Sequence, residues 1–389
     1  MTNAREIELG ELMPQEGRSS VNPADYPGEV FELLSIPAYD RGSAEIALGS
    51  EIGSTKQAVH PGDILLSKIV PHIRRAWVVE PSAGSRQIAS SEWIVFRSKE
   101  ADARYLRHFL VSDGFHRQFM QTVSGVGGSL LRARPKYVAK IKIPLPPLEE
   151  QRRIAAILDK AGNLRQHAYG QLCHAKDLLA SLFIKTIGEP LQNPHDWSTL
   201  PLAEAVQAGT DVTYGIVQAG EEFPGGIPYI RTGDIVDGEI DVSALRHTDP
   251  AIASRFVRST VRTGEIIMSI RATVGTTAVV PPCLDGANLT QGTARVAPGK
   301  NVNGVYLLQY LRMPSTQAWI QRQVKGATFR EITLARLREL PVLIPPMAIQ
   351  DKFAAKAMLA NSAIDSSKVL LSRIENLSLS LGNQFLAQN

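Results

Sequence analysis

Pro144-Leu-Pro-Pro-Leu-Glu-Glu-Gln-Arg-Arg-Ile-Ala-Ala-Ile-Leu158 decides how this chain is read, because a version of it returns 199 residues later. Pro146-Pro147 falls on Pro345-Pro346, Gln151 on Gln350 and Ile154 on Phe353. Further along, Leu172 meets Leu371, Leu178 meets Leu377 and Leu182 meets Leu381, so that residues 127–182 overlay 326–381 without a gap. A solenoid needs three or more units of roughly 20–50 residues. One long repeat present twice describes a pseudo-dimer instead: two similar halves, each a globular part followed by a helix. An object with approximate two-fold symmetry invites a partner of the same kind, and duplex DNA is the commonest one.

Outward from this stretch, the pattern predicts two long helices. Proline near the first turn is pre-set for helix, and Glu149 and Glu150 suit the positive N-terminal end. Apolar residues follow at 3–4 spacing: Ile154, Ile157/Leu158, Ala161, Leu164, Ala168, Leu172, Ala175, Leu179 and Leu182. The second series is Phe353, Ala357, Ala360, Ile364, Leu371, Ile374, Leu377, Leu381 and Phe385. Four heptads of this spacing make a coiled-coil seam, and the small residues suit antiparallel packing of the two helices. A helix of ~34 residues would span ~50 Å. The alternative is that each helix packs on its own domain.

The globular parts read as short strands and turns. Strands are expected at Phe31–Ile36, Asp63–Lys68, Ala76–Val79 and Trp93–Arg97, and a single helix at Tyr105–Met120. The second half repeats the plan loosely. Gly264-Glu-Ile-Ile-Met-Ser269 answers Gly62-Asp-Ile-Leu-Leu-Ser67, and Tyr306-Leu307 answers Tyr105-Leu106, at offsets of 201–202. The expected organisation is 1–146 and 190–344 as globular domains, with helices over 147–189 and 345–389. This is an α+β chain with two tandem domains, separated and followed by long helices that form an antiparallel coiled coil.

Bulk properties fit two or three domains in 389 residues. No apolar run is long enough for a membrane span, no leader pattern is evident, and Cys173 and Cys283 lie too far apart in sequence for a CxxC site. A cytoplasmic protein is expected. The net charge of +4 says little, but its distribution says more. Ala103–Leu148 carries eight Lys/Arg against Asp113 alone, and Arg322–Arg338 carries five against Glu331 alone. A basic run is usually a solvated face; here it is duplicated at matching positions.

Catalytic signatures are missing. Asn193-Pro-His-Asp lacks the second proline of an adenine-methyltransferase loop, and Gly299-Lys300 lacks the earlier glycine of a phosphate loop. Gly125-Val-Gly-Gly128 reads as a turn. No HExxH or Gly-x-Ser-x-Gly string occurs, and His167, Cys173 and His174 read as ordinary helix residues.

Together these features resemble the specificity subunit of type I restriction–modification systems, along essentially the whole chain. Pro144–Leu158 is similar to that family's first spacer helix. Phe183…Gly188-Glu-Pro190…Asn193-Pro194…Trp197 is similar to its entry into the second target-recognition domain. Gly62–Ser67 and Gly264–Ser269 resemble the turn-and-strand of each recognition domain, and Gly326-Ala-Thr-Phe-Arg330 resembles its small-residue and basic turn. The first half departs from this, with Gly127-Gly-Ser-Leu-Leu-Arg132 placing its arginine further on. The resemblance implies a non-catalytic DNA-recognition subunit that reads a split, non-palindromic target and binds no cofactor itself. It also implies assembly on double-stranded DNA with two methyltransferase subunits, which bring S-adenosylmethionine and flip out an adenine, and with two motor–nuclease subunits.

Candidate DNA contacts are Lys68, Arg74, Arg75, Arg132, Arg134 and Lys136 in the first half, and Arg271, Arg330 and Arg336 in the second. Arginine can pair bidentately with a guanine edge; each of these residues could equally be a phosphate contact or a surface charge. Tyr39 and Tyr214 are stacking candidates or core residues. Two other readings stay open: an orphan DNA-binding protein, and a scaffold that joins protein partners.

Overall fold

The computed structural model describes residues 4–14, 20–82, 84–125, 131–326 and 330–386. They form two compact units, residues 1–168 with 370–389 and residues 169–369.

In the first unit a five-stranded mixed sheet runs in the order Ser20–Val21, Lys56–Ala58, Arg86–Ala89, Val30–Leu34, Glu45–Leu48. The Val30–Leu34 and Arg86–Ala89 pair is parallel. A three-stranded antiparallel sheet sets Ile64–Ser67 between Ala76–Val78 and Trp93–Phe96. All four residues of Ile64–Ser67 are buried. The reason is that both faces are covered. Ile64 and Leu66 join a core with Phe96, Leu106 and Phe109, while Leu65 joins Leu34, Val79 and Trp93. A short continuous apolar run, rather than an alternating one, is what such a strand requires.

The second unit repeats this plan. Ile266–Ser269, also wholly buried, lies between Thr277–Val279 and Thr293–Val296, and Ile227–Ile230 pairs parallel with Asn288–Leu289. Each unit also closes an antiparallel pair in front of its long helix, Arg5–Glu8 with Lys142–Leu145 and Ser198–Pro201 with Pro341–Ile344.

The expected strands appear within a residue or two, but the expected helix at Tyr105–Met120 is two helices, Ala103–Leu110 and Asp113–Gln121. Ser112 interrupts it by capping the second, accepting a hydrogen bond from the Phe115 amide. In the other half Pro314 makes the same break, between Gly304–Arg312 and Pro314–Gln323.

The long helices are Leu148–Ile187 and Met347–Leu386, 40 residues each, and about 60 Å from end to end. Leu148 and Met347 are 199 positions apart, and so are Ile187 and Leu386. In the first unit, Ile154, Ala155 and Leu158 from the start of one helix share a core with Leu386 from the end of the other. In the second unit, Phe183 near the end of the first helix packs on Phe353 near the start of the second. Start meets end in each unit, so the helices are antiparallel. The seam is narrower than the sequence pattern suggested, because Leu164 and Leu377 are 46% and 51% exposed.

One buried glutamine fixes each helix to its domain. The Gln151 amide donates to the carbonyls of Pro146 and Glu100 and accepts from the Asp102 amide at 2.7 Å. Gln350 donates to Pro345 and Asn301 and accepts from Asn303 at 2.9 Å. Asp102 and Asn303 are themselves the N-caps of the next helices. The Tyr105 and Tyr306 hydroxyls then donate to the Pro144 and Leu343 carbonyls. Buried polar groups persist only when satisfied, and these two sets satisfy each other in the same way.

Candidate nucleic-acid interface

Each unit folds three separated segments onto one point, just beyond its buried central strand. The turn into that strand needs a left-handed glycine, Gly62 at φ 89° and Gly264 at φ 84°. The next residue, Asp63 or Glu265, is buried and grips an arginine, Arg97 just past the neighbouring strand or Arg295 within it. Arg97 donates to both Asp63 oxygens at 2.7 and 2.6 Å. Arg295 forks onto Glu265, its Nε at 2.8 Å. These bidentate pairs hold the strand by charge-assisted hydrogen bonds.

At the far end of the strand the Ser67 hydroxyl donates to the Ile69 carbonyl, and the Ser269 hydroxyl to the Arg271 carbonyl. The residue after that is left-handed without being glycine: Val70 at φ 46° and Ala272 at φ 56°. A β-branched residue at positive φ is an outlier. Strain of this kind costs roughly 1–3 kcal/mol and persists where the surroundings enforce it. Here the Val70 amide donates to Leu131, the Ala133 amide to Lys68, and the Lys68 amide to Glu92. The second unit gives Ala272 to Arg330, Ile332 to Ile270, and Ile270 to Gly292. Isolated bridges Ile69 with Arg132 and Arg271 with Glu331 complete the match.

This frame gathers some of the candidate residues and not others. Lys68 and Arg132 meet around Glu92, at 3.9 and 3.3 Å. Arg134 and Lys136 flank the half-exposed Tyr137 ring at 5.9 and 5.2 Å, and Arg134 also donates to the Ser124 hydroxyl. In the second unit Arg271 lies 3.1 Å from Glu331, and Arg330 donates to the Gln321 side chain. The remaining candidates lie outside this meeting of segments. Arg74 pairs with Asp113 at 2.6 Å, and Arg336 pairs with Glu339 one helical turn on. Arg75 is buried and forks onto Asp40 at 2.7 and 2.9 Å, and the Arg75 guanidinium holds the Asp40 carboxyl below its ordinary range. A guanidinium occupied in this way is not free to reach a base. The turns expected at Gly125–Gly128, Gly127–Arg132 and Gly326–Arg330 lie largely outside the described residues, which leave out 126–130 and 327–329.

Tyr39 is a core aromatic, edge-on to Trp77 and Trp93 at 5.6 and 5.8 Å, whereas Tyr214 is 45% exposed. Sequence reasoning missed Glu92 and the arginine forks onto the buried Asp63 and Glu265. The turn-and-strand motifs had flagged Asp63 and Glu265, yet nothing local signals partners some 30 residues away. Among the described residues no cluster of His, Cys, Asp or Glu could hold a metal ion, and no helix is long and apolar enough to cross a membrane.

Comparison with known proteins finds relatives along most of the chain. A family model described as the type I restriction modification DNA specificity domain matches residues 6–169 and again 194–375. The chain is 24% identical, over 83% of its own length and 72% of the relative's, to the Escherichia coli type I restriction enzyme EcoBI specificity subunit. The S subunit of a type I restriction–modification system from M. genitalium aligns over 100% of this chain and 97% of its own, with a TM-score of 0.59 at 11% identity. A chain solved in a study of complex assembly and conformational transition in the type I R-M system aligns over 99% and 98%, with a TM-score of 0.57 at 21% identity.

Proposed function

The chain belongs to the type I restriction–modification DNA specificity family, and from that premise we propose that each globular domain reads one half of a bipartite, asymmetric DNA target. Domains at 1–146 and 190–344 do the reading in this proposal, and the helices at 147–189 and 345–389 set the interval between the half-sites. The observation that carries it is the pair of matching three-segment frames. Their backbone bonds agree one for one, while the side chains they present differ. A shared scaffold with different side chains suits two half-sites of different sequence. Lys68, Arg132, Arg134 and Lys136, with Arg271 and Arg330, are the proposed contacts, divided between phosphates that position the protein and base edges that specify the sequence.

Catalysis in this reading is borrowed from two methyltransferase subunits, and restriction from two motor–nuclease subunits. Exposed apolar side chains on the long helices support docking of such partners: Tyr169 and Leu178 on the first, Met358, Leu359 and Leu379 on the second. Leu359 is 75% exposed.

The test is single-molecule methylome sequencing of a host that expresses this chain with its methyltransferase. A new bipartite N6-methyladenine motif, lost when the chain is omitted, is the expected result. Inserting one heptad into both long helices should then alter the interval between the half-sites and keep their letters. An unchanged interval would overturn the spacing role; no motif at all would overturn the reading.

A further inference from the structure

Both frames keep an ion pair at the same place, but no contributor to it is the same. The matching positions are Ile69, Glu92 and Arg132 in the first domain and Arg271, Gly292 and Glu331 in the second, equated by the bridges and by the Lys68-to-Glu92 and Ile270-to-Gly292 hydrogen bonds. In the first domain the cation comes from the segment after residue 130 and the anion from the turn before Trp93. In the second the cation moves to the hairpin and the anion to the segment after residue 330. The anion's former position is glycine, where an added Cβ would meet Thr232 Cγ2 at 2.8 Å. Charge of opposite sign thus occupies one backbone bridge in the two halves: arginine at 132, glutamate at 331.

Neither pair is saturated. Glu92 Oε2 is buried without a hydrogen-bond partner, with the Lys68 ammonium 3.9 Å away, and Arg271 Nε is buried without one too, near Glu331 but out of line with it. Partly satisfied polar groups of this kind are costly to keep, and spare capacity on a carboxylate and a guanidinium suits a ligand with polar edges. Arg132 is 58% and Arg271 41% exposed along the side chain, so both can turn outward.

We infer that Arg132 and Arg271 each read a guanine edge in their own half-site, with Glu92 and Glu331 as positioning residues that hold the guanidinium in reading geometry. This deepens the bipartite DNA reading and rests on it. Because the two arginines leave the frame from different segments, the guanine sits at a different place in each half-site. That makes the target asymmetric even though the scaffold repeats.

The experiment uses the complex of the full chain with its methyltransferase, the methylome for the motif, and competition binding on duplexes altered one base pair at a time. Arg271→Lys and Glu331→Gln should each lose about tenfold in discrimination at one guanine of the second half-site, leaving the first intact. Arg132→Lys and Glu92→Gln should do the same in the first half-site only. Lysine keeps the charge and loses the fork, so a phosphate contact would weaken all sequences together and keep the letters; that result overturns the assignment. Glutamine variants that lower Tm and weaken all duplexes equally show a purely structural role and overturn it too. If the unmodified chain directs no bipartite motif, the DNA reading fails, and this assignment with it.

Discussion

The two junctions between domain and long helix share their centre and differ in their surroundings. At the centre stand Gln151 and Gln350, each fully buried, each making the same three hydrogen bonds. Around Gln151 the flank is charged: Arg104, Arg107 and His108 converge on Asp159 of the first helix, with His108 Nε2 at 2.7 Å. Around Gln350 it is aromatic: Phe183 stacks on Tyr306 at 5.8 Å and meets Tyr310 and Phe353 edge-on. At the matching positions Gln309 stands for His108 and Met358 for Asp159. What both junctions must do is orient a helix, and that part is repeated. How each is cemented differs, and the two clusters use different positions: Tyr306, Tyr310 and Phe353 answer Tyr105, Phe109 and Ile154, whereas His108 and Asp159 answer Gln309 and Met358.

The largest expected effect tests the repeated part. Gln151→Leu and Gln350→Leu each strand one amide and two carbonyls in the interior, at roughly 1–3 kcal/mol per group. Each should cost about 3–5 kcal/mol in urea unfolding of its own unit. Unequal costs would break the equivalence of the junctions.

Phe183→Ala comes next and sharpens the contrast. It empties a fully buried aromatic site at the second junction, for about 3–4 kcal/mol. Its counterpart by the 199-residue offset is Gly382, so no truncation at the matching position of the first unit can reproduce the loss. Calorimetry resolving two transitions would show only the second unit's transition move.

The smallest effect is a pH dependence confined to the first junction. Burial lowers the His108 pKa below its ordinary value; Asp159 pulls it up, and Arg107 and Arg104 push it down. Unfolded histidine titrates near 6.5 and therefore takes up a proton before the folded residue does. Stability attached to neutral His108 is complete above about pH 6.5 and declines as the pH falls below it, until the folded residue also titrates. His108→Gln, which installs the second junction's residue, should lessen the slope of the first unit's stability profile between pH 7 and 5, leaving the part due to His116, whose pKa burial also lowers. A slope unchanged by the substitution would place its source elsewhere.

Much of this architecture was legible in the sequence because it rests on local signals repeated twice. The Pro-Pro starts, the Gly62 and Gly264 turns and the apolar strands each act over a few residues. Gaps appear where the deciding partner is distant. Nothing near Arg75 announces Asp40, 35 positions earlier, so a buried structural fork looked like a free cation. Tyr105–Met120 has helical spacing throughout, and only the cap at Ser112 reveals the break. Leu164 and Leu377 fit the seam pattern yet face solvent, since periodicity fixes a face without saying how wide the buried stripe is. Among the candidate contacts, the duplicated basic runs gave the neighbourhood; the three-segment meeting of Lys68, Glu92 and Arg132 depends on tertiary bonds that no spacing encodes.

The first unit takes its last helical residues from beyond position 369, so Leu386 closes a core begun by Ile7 and Ile154. On the ribosome this imposes an order of events. At about 5–20 residues per second, the roughly 200 intervening residues keep that core open for about 10–40 seconds. Throughout that interval the core lacks Leu386 and the Leu381 and Phe385 side chains that pack against it. The unit translated first is thus the one finished last, and a chain stopped near residue 370 would deprive the earlier-made unit of its closing residues while sparing the later one.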